Sequence, residues 1–437
     1  MLSKNNNKNY KLLSHILFHL CLVLITASLL SLLVKGAIFR AIGVLLIFSF
    51  ITLIIYRPVI GLHLLPAVHY FFPHEIDFTG SSFFSLGLTI SLLTIFSGII
   101  QIVFLNMRLR LHSMYLVILS LGLMIVIKVV DSGDNLNFFY LLTFIQGCIT
   151  FFLFFIVVKN VSTGLNVLRS WVICYGLFCI SHIVRGPLQN TNPDIIVSIL
   201  SIRYQALGAF NPNVLSWIAV LLLPLAIGFF KVEKNKLIKL LLGISFLGMI
   251  LILVFSASRA GFIGLILTLI LIIMFGSDKA KITNQQSIFM IALILFTSFL
   301  WKNLISSGYF GADRSIGDET FNTEAIGRTT MIFDGLILGL SKPFFGHGYT
   351  HADGTYITTH SAIAKAFSTY GIFYTILLFY PLYMVITKSF YLMKNHSDDK
   401  IRIINRMIFI SFLVAIPEAI FGITLFSAGY AHIYWLI

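Results

Sequence analysis

Residues 302–361 read KNLISSGYFGADRSIGDETFNTEAIGRTTMIFDGLILGLSKPFFGHGYTHADGTYITTHS, the only long polar interval in a chain that is apolar almost throughout. Apolar runs flank it, 287–301 before and 362–387 after, so it emerges from a membrane and returns to the same side. The chain's 437 residues are 58% hydrophobic and only 11% charged, and the mean hydropathy is +0.96. No soluble globular domain has that composition. The expected class is therefore all-α: a polytopic integral membrane protein whose long outer loop carries short helices and most of the candidate chemistry.

Working outward from this loop, the runs able to span are 12–33, 37–55, 83–105, 113–130, 138–158, 168–184, 214–230, 237–255, 260–276, 287–301 and 362–387. Two more regions are ambiguous. Residues 59–72 are apolar but short and broken by Pro66, and 407–437 form one bent span or two, interrupted at Pro417 and Glu418. About 12–14 transmembrane helices result. They form one multi-pass domain over 1–437, with outer loops at 302–360 and 186–213.

The formal charge of +14 does not point to nucleic acid, because Lys and Arg occur in small groups between apolar runs. It is a topological signal. Lys4, Lys8 and Lys11, Arg57, Arg108 and Arg110, Lys159 and Arg169, the Lys231 to Lys239 group, Lys279 and Lys281, and the Lys388 to Arg406 group are expected on the cytoplasmic side. Lys35 and Arg40 fall outside without an account. The apolar run after the N-terminal lysines is too long for a removed signal peptide and reads as a first transmembrane helix. Cys21, Cys148, Cys174 and Cys179 lie inside apolar runs with no metal-ligand spacing and are expected in the core.

Cations that stay on the outer side break the rule that sets the topology. In the second half these are Arg185, Arg203, Arg259, Arg314, Arg328, Lys342 and Lys365. Arg predominates, and a planar guanidinium grips phosphate oxygens through two parallel hydrogen bonds where Lys offers a point charge. Several such groups on one outer pocket suit a diphosphate at the membrane surface. The plainer alternative is that each pairs with a lipid headgroup or with an outer acid such as Asp313, Asp318, Glu319 or Glu324. Arg259, in SASRAGFIGL (256–265), sits between two spans beside small residues that let a ligand approach the backbone. Arg203 precedes the Asn211, Pro212, Asn213 turn, and Arg328 opens a segment able to form a short helix ended by Lys342 and Pro343.

His360 is the catalytic candidate. It stands at the outer mouth of a span, with Ala364, Phe367 and Gly371 on the helical face that would follow. An imidazole titrates near neutral pH and can accept a proton from an attacking hydroxyl. A membrane-edge His is also a common structural residue. His347, His351 and Asp353 lie nearby, but their spacing fits no zinc pattern, so no metal is expected.

At these positions the chain resembles the O-antigen polymerase and O-antigen ligase superfamily of bacterial envelope polysaccharide assembly. SASRAGFIGL is similar to its Ser-Arg-small segment. GRTTMIFDGLILGLSKPFFGHGYT (327–350) is similar to its Arg-led outer helix with a Pro and Gly-x-Gly turn. HSAIAKAFSTYGIFYTILLF (360–379) resembles its His motif opening a span with a mid-helix Gly, and RYQALGAFNPN (203–213) resembles its earlier outer Arg and Asn-Pro-Asn turn. The four motifs run in the family's order from Arg203 to Phe379.

The resemblance implies an inverting, metal-independent glycosyltransferase of the bacterial inner membrane, working on the periplasmic face without cofactor. Its donor would be a glycan on undecaprenyl diphosphate. Arg203, Arg259 and Arg328 would hold the diphosphate and His360 would activate the acceptor hydroxyl. Arg185, Arg314, Lys365 and His347 would take supporting places. A flippase and a chain-length regulator are implied partners beside membrane lipids. Between polymerase and ligase, which differ in acceptor, polymerase is preferred because the outer loop is compact and the His motif follows the Gly-x-Gly turn closely. A flippase or transporter is the third reading, but the clear spans contain almost no acids and no internal repeat is visible.

Overall fold

The computed structural model describes residues 51–71, 86–105, 113–132, 154, 157, 158, 160–189, 212–256, 258–275, 319–348 and 361–421. Within them the architecture is all helical. The helices are α1 (Pro58–Phe71), α2 (Leu86–Leu105), α3 (Ser113–Ser132), α4 (Val161–Gln189), α5 (Pro212–Val232), α6 (Lys236–Phe255), α7 (Arg259–Phe275), α8 (Glu319–Ser341), α9 (Ala362–Tyr370), α10 (Ile372–Asn395) and α11 (Asp399–Phe421). Four stretches among the described residues are long and apolar enough to cross a membrane: Val161–Ile183, Leu215–Val232, Lys236–Phe255 and Ile372–Asn395. Shorter apolar stretches are Pro58–Ala67, Met114–Lys128, Gly261–Phe275 and Thr330–Ser341. The expected spans at 12–33 and 287–301 lie outside the described residues, as do most of 37–55 and of 138–158.

The chain divides into two compact units. In the first, α1 packs on α2, and α4 belongs to it as far as Trp171. Small groups let the two helices meet, with Gly61 seated against Thr94, and Ser97 Oγ donates at 2.8 Å to the carbonyl of Ile55 in the helical segment before α1. The start of α4 is fastened to α1 by polar bonds inside an apolar setting: Trp171 Nε1 donates to the Leu62 carbonyl at 3.2 Å, and His63 Nδ1 lies 2.6 Å from Ser170 Oγ. His63 thus has a structural partner.

In the second unit α5 is the central pillar. Its residues 215–226 are all buried, which is why an apolar run without a polar face forms this helix. Pro212 opens it, where a missing N–H costs nothing. α6, α7 and α11 pack around it. Asn235 caps α6, its Oδ1 accepting from Leu237 N at 2.9 Å and Ile238 N at 3.4 Å. Tyr175 of α4 donates its hydroxyl to the Leu215 carbonyl of α5, and Ser245 Oγ of α6 donates to the Ile173 carbonyl of α4 at 3.2 Å. Close helix approach through small residues is the usual means of packing where lipid removes the hydrophobic contrast. Cys179 is fully buried and Cys174 partly so, and both are free.

Several expected boundaries are corrected. The run 362–387 is not one span: it breaks at Gly371 into the nine-residue α9 and the 24-residue α10, which continues past Thr387 to Asn395. The interval 302–360 is not a loop with only short helices, since α8 has 23 residues and begins at Glu319. α4 continues through Arg185 to Gln189, taking four residues from the expected loop 186–213. α11 starts at Asp399 and passes Pro417 unbroken as far as Phe421, so Lys400, Arg402 and Arg406 lie on the helix rather than before it.

Candidate functional site

α7 begins at Arg259, directly after Ser258, whose buried hydroxyl accepts from Gly261 N at 3.2 Å while its carbonyl accepts from Phe262 N at 2.9 Å. Gly261 lies against Ser216, where any Cβ would overlap the serine side chain, and Gly264 lies against Val220, whose Cγ1 would stand 2.9 Å from an added Cβ. Both pairs advance together, so α5 and α7 run parallel. The same register puts Arg259 level with the first turn of α5. Two small-residue contacts therefore bring the start of the Ser-Arg-small helix beside the helix that follows the Asn-Pro-Asn turn.

The opposite ends of these helices are fixed by α11. Gly228 of α5 sits against Met407 and Ile404, and Phe409 meets both Phe275 of α7, with ring centroids 5.4 Å apart, and Phe390 of α10, at 5.3 Å. From that common level α7 climbs to Arg259 over roughly 24 Å and α10 climbs to Ile372 over roughly 27 Å, at about 1.5 Å per residue. The start of α7 and the break between α9 and α10 thus share one end of this unit.

At that end the turn after α8 is laced to the break. Gly346 N donates to the Lys342 carbonyl at 2.9 Å, closing the turn. His347 N donates to the Ser368 carbonyl at 2.7 Å, Gly348 N to the Thr369 carbonyl at 2.9 Å, and Ile372 N to the Pro343 carbonyl at 2.7 Å. Two of the last carbonyls of α9 and the first N–H of α10 are satisfied by the strap 342–348, which is what permits a helix break among apolar residues. Gly346 has φ +64° and Gly371 φ +85°, and a Cβ on either would overlap strap or helix backbone. Phe344 stacks on Phe373 with centroids 5.8 Å apart. α8 packs along α9, with Gly339 facing the Phe367 ring.

α9 carries the candidate histidine's segment at its other end. Ser361, extended at φ −132° and ψ 128°, caps the helix, its hydroxyl accepting from Ala364 N at 3.2 Å. The helix therefore begins at Ala362, and the face expected to start at His360 starts after the cap. Lys365 is partly buried on α9, its N–H bonded to the Ser361 carbonyl at 2.9 Å. His347 Nε2 lies 2.7 Å from Ser341 Oγ, which also donates to the Leu338 carbonyl at 2.7 Å. That Ser-His contact ties the strap back to the end of α8, a pairing six residues apart that an aligned turn could have suggested.

Of the predicted site residues, Arg259 stands at the start of α7, Arg328 within α8 and Arg185 near the end of α4. Arg203, Arg314 and His360 lie outside the described residues. Among the described residues no group of three or more His, Cys, Asp or Glu side chains comes together. One group that carried no role in the sequence reading enters the site region: Lys128 of α3 donates from Nζ to the Gly346 carbonyl at 3.2 Å.

No curated protein matches the chain significantly. Residues 244–379, from within α6 to within α10, match the O-antigen ligase family, and the matched segment contains Arg259, Arg328 and the whole strap. With the helical membrane architecture around it, that likeness over 244–379 supports a membrane enzyme of the O-antigen ligase or polymerase type.

Proposed function

We propose that the protein polymerises oligosaccharide repeat units carried on undecaprenyl diphosphate, on the periplasmic face of the bacterial inner membrane. The observation that carries this reading is that the start of α7 with Arg259, the start of α5, and the strap that follows α8 and bonds to the end of α9 lie at the same end of the second unit. α8 and α9 both run toward the strap, since Gly339 faces Phe367 while Pro343 accepts from Ile372. In that sense of packing, Arg328 is about one and a half turns from the level of the Ser361 cap, roughly 7 Å along the axis.

In the proposed reaction the acceptor hydroxyl oxygen attacks the anomeric carbon of the donor glycan from the face opposite the diphosphate. The new C–O bond forms as the bond to the diphosphate oxygen breaks, with inversion. His360 takes the hydroxyl proton as general base. Arg203, Arg259 and Arg328 hold the diphosphate through paired hydrogen bonds and neutralise the charge that grows on the departing undecaprenyl diphosphate. Arg185, Arg314, Lys365 and His347 support this site. A diphosphate is already a good leaving group, so the arginines supply the charge stabilisation a metal would otherwise supply.

The second reading is an O-antigen ligase, as the family's description has it, with lipid A-core as the acceptor. One experiment separates them. Purified protein in liposomes is given the lipid-linked repeat extracted from a strain lacking the gene, with and without lipid A-core, in the absence of ATP and divalent metal. Lengthening of the lipid-linked glycan is expected. Transfer only onto lipid A-core replaces polymerase with ligase, and no transfer to either acceptor overturns the transferase proposal.

A further inference from the structure

Lys128 is the single Lys or Arg of α3, in a helix that is otherwise apolar up to Asp131. An ammonium there is costly, and such groups generally have a specific partner. Its partner on the strap is a backbone carbonyl 218 residues away, that of Gly346, at 3.2 Å. This is the middle of the strap, flanked by the bonds that hold the strap to α9 and α10: Pro343 carbonyl to Ile372 N on one side, His347 N and Gly348 N to the Ser368 and Thr369 carbonyls on the other. The backbone at Gly346 also packs so closely on Thr369 that a Cβ would not fit between them.

Two consequences follow for α9. The ammonium lies near the negative end of that helix, where a cation is favoured. And because α9 has only nine residues, roughly 13 Å of rigid helix, holding its last turn also fixes the direction of its first. That first turn starts at the Ser361 cap, next to His360. α3 packs on both α9 and α10, so it offers a fixed wall from which Lys128 acts.

We propose that Lys128 is a positioning residue of the site: through the Gly346 carbonyl it seats the 342–348 strap and so sets the placement of α9 against α8, without touching substrate. Its catalytic consequence rests on the transferase reading above; its hold on the strap does not. The test compares Lys128→Met and Lys128→Arg in the full chain in nanodiscs, with Lys128→Gln read the same way should the Met variant not fold.

Hydrogen–deuterium exchange is followed at the His347, Gly348 and Ile372 amides. Lys128→Met is expected to speed exchange there about tenfold or more, with α5 to α7 unchanged and Lys128→Arg close to the parent. Unchanged exchange at those amides, or an equal rise throughout the chain, overturns the proposal. With the extracted lipid-linked repeat as donor, kcat is expected to fall about 10- to 100-fold while KM stays within about twofold, and Arg is expected to restore most of the rate. A raised KM at unchanged kcat would make Lys128 a substrate contact instead. If the parent protein itself transfers nothing, the transferase reading fails and the exchange result still decides the role of Lys128.

Discussion

Three glycines of the strap region are expected to respond to alanine in a fixed order, because each is glycine for a different reason. Gly348 has φ +88° but open space around an added Cβ, so Gly348→Ala carries only left-handed strain, about 1–2 kcal/mol. Gly339 has no such φ; an added Cβ stands 2.5 Å from Cδ1 of Phe367, a side chain that can turn. Repacking there costs about 1–3 kcal/mol, offset by about 1 kcal/mol from the better helix propensity of Ala. Gly371 combines both penalties. At φ +85° and ψ −177° it occupies a region essentially confined to glycine, about 1–3 kcal/mol for any other residue, and its Cβ would overlap the Phe344 carbonyl oxygen, which cannot rotate away. Backbone displacement adds about 1–3 kcal/mol, so Gly371→Ala totals about 2–6 kcal/mol. The assay is the thermal midpoint of the detergent-solubilised protein by size-exclusion fluorescence, read as an order of midpoints because unfolding in detergent is not a two-state equilibrium. Gly371→Ala should fall furthest. A Gly348→Ala midpoint as low as that of Gly371→Ala, or a Gly371→Ala midpoint equal to the parent's, would refute the claim that the strap is seated against the break.

Arg259→Lys and Arg328→Lys keep the charge and lose the paired donors, and transfer from the extracted lipid-linked repeat should drop by about tenfold or more; full activity in both would remove the bidentate diphosphate grip. Ser361→Ala removes the α9 cap at about 1 kcal/mol and should lower turnover, whereas Ser361→Thr should keep it; equal turnover in the two would separate the cap from the chemistry. His360→Gln should abolish the rise of kcat/KM with pH through the neutral range, because only the unprotonated imidazole accepts the acceptor's proton; a variant that keeps both rate and pH profile would dismiss His360 as base.

What the chain revealed before its structure follows from how local each signal is. The helices α2, α3, α5, α6 and α7 were legible within a few residues because an unbroken apolar run of that length has few other stable forms. Arg259 at a helix start was legible too, from the small residues around it. The length of α8 was not, because ETFNTEAIG carries no apolar stripe that would mark it as helix. The start of α11 was missed for a related reason: DKIRIINR reads as a charged loop, yet Asp399 in the first turn and its bond to Arg402 suit a helix N-terminus. The role of Lys128 could not be read at all, since its partner is a carbonyl more than two hundred residues distant and carbonyls leave no mark in a sequence.

The break at Gly371 shows why two motifs that look separate are one object. A helix that stops among apolar residues leaves its last carbonyls and the next helix's first N–H groups without water to satisfy them. A mid-helix glycine permits such a stop, but it does not stabilise it. The stabilising groups come from the Pro-Phe-Phe-Gly-His-Gly turn: Pro343 offers a carbonyl to Ile372, and His347 and Gly348 offer N–H groups to Ser368 and Thr369. The turn in its own right needs a backbone at Gly346 that fits against Thr369, which only a residue without Cβ provides. Each motif is therefore unstable without the other, and together they place the break between α9 and α10 at the end of the unit where Arg259 begins α7. If the strap were deleted with α8 and α10 left intact, α9 and α10 should fuse into one continuous helix. The distance between cysteines at residues 368 and 375, read by spin labels, would move to the roughly 10 Å that seven residues span in an uninterrupted helix, and an unchanged distance would show that glycine by itself holds the break.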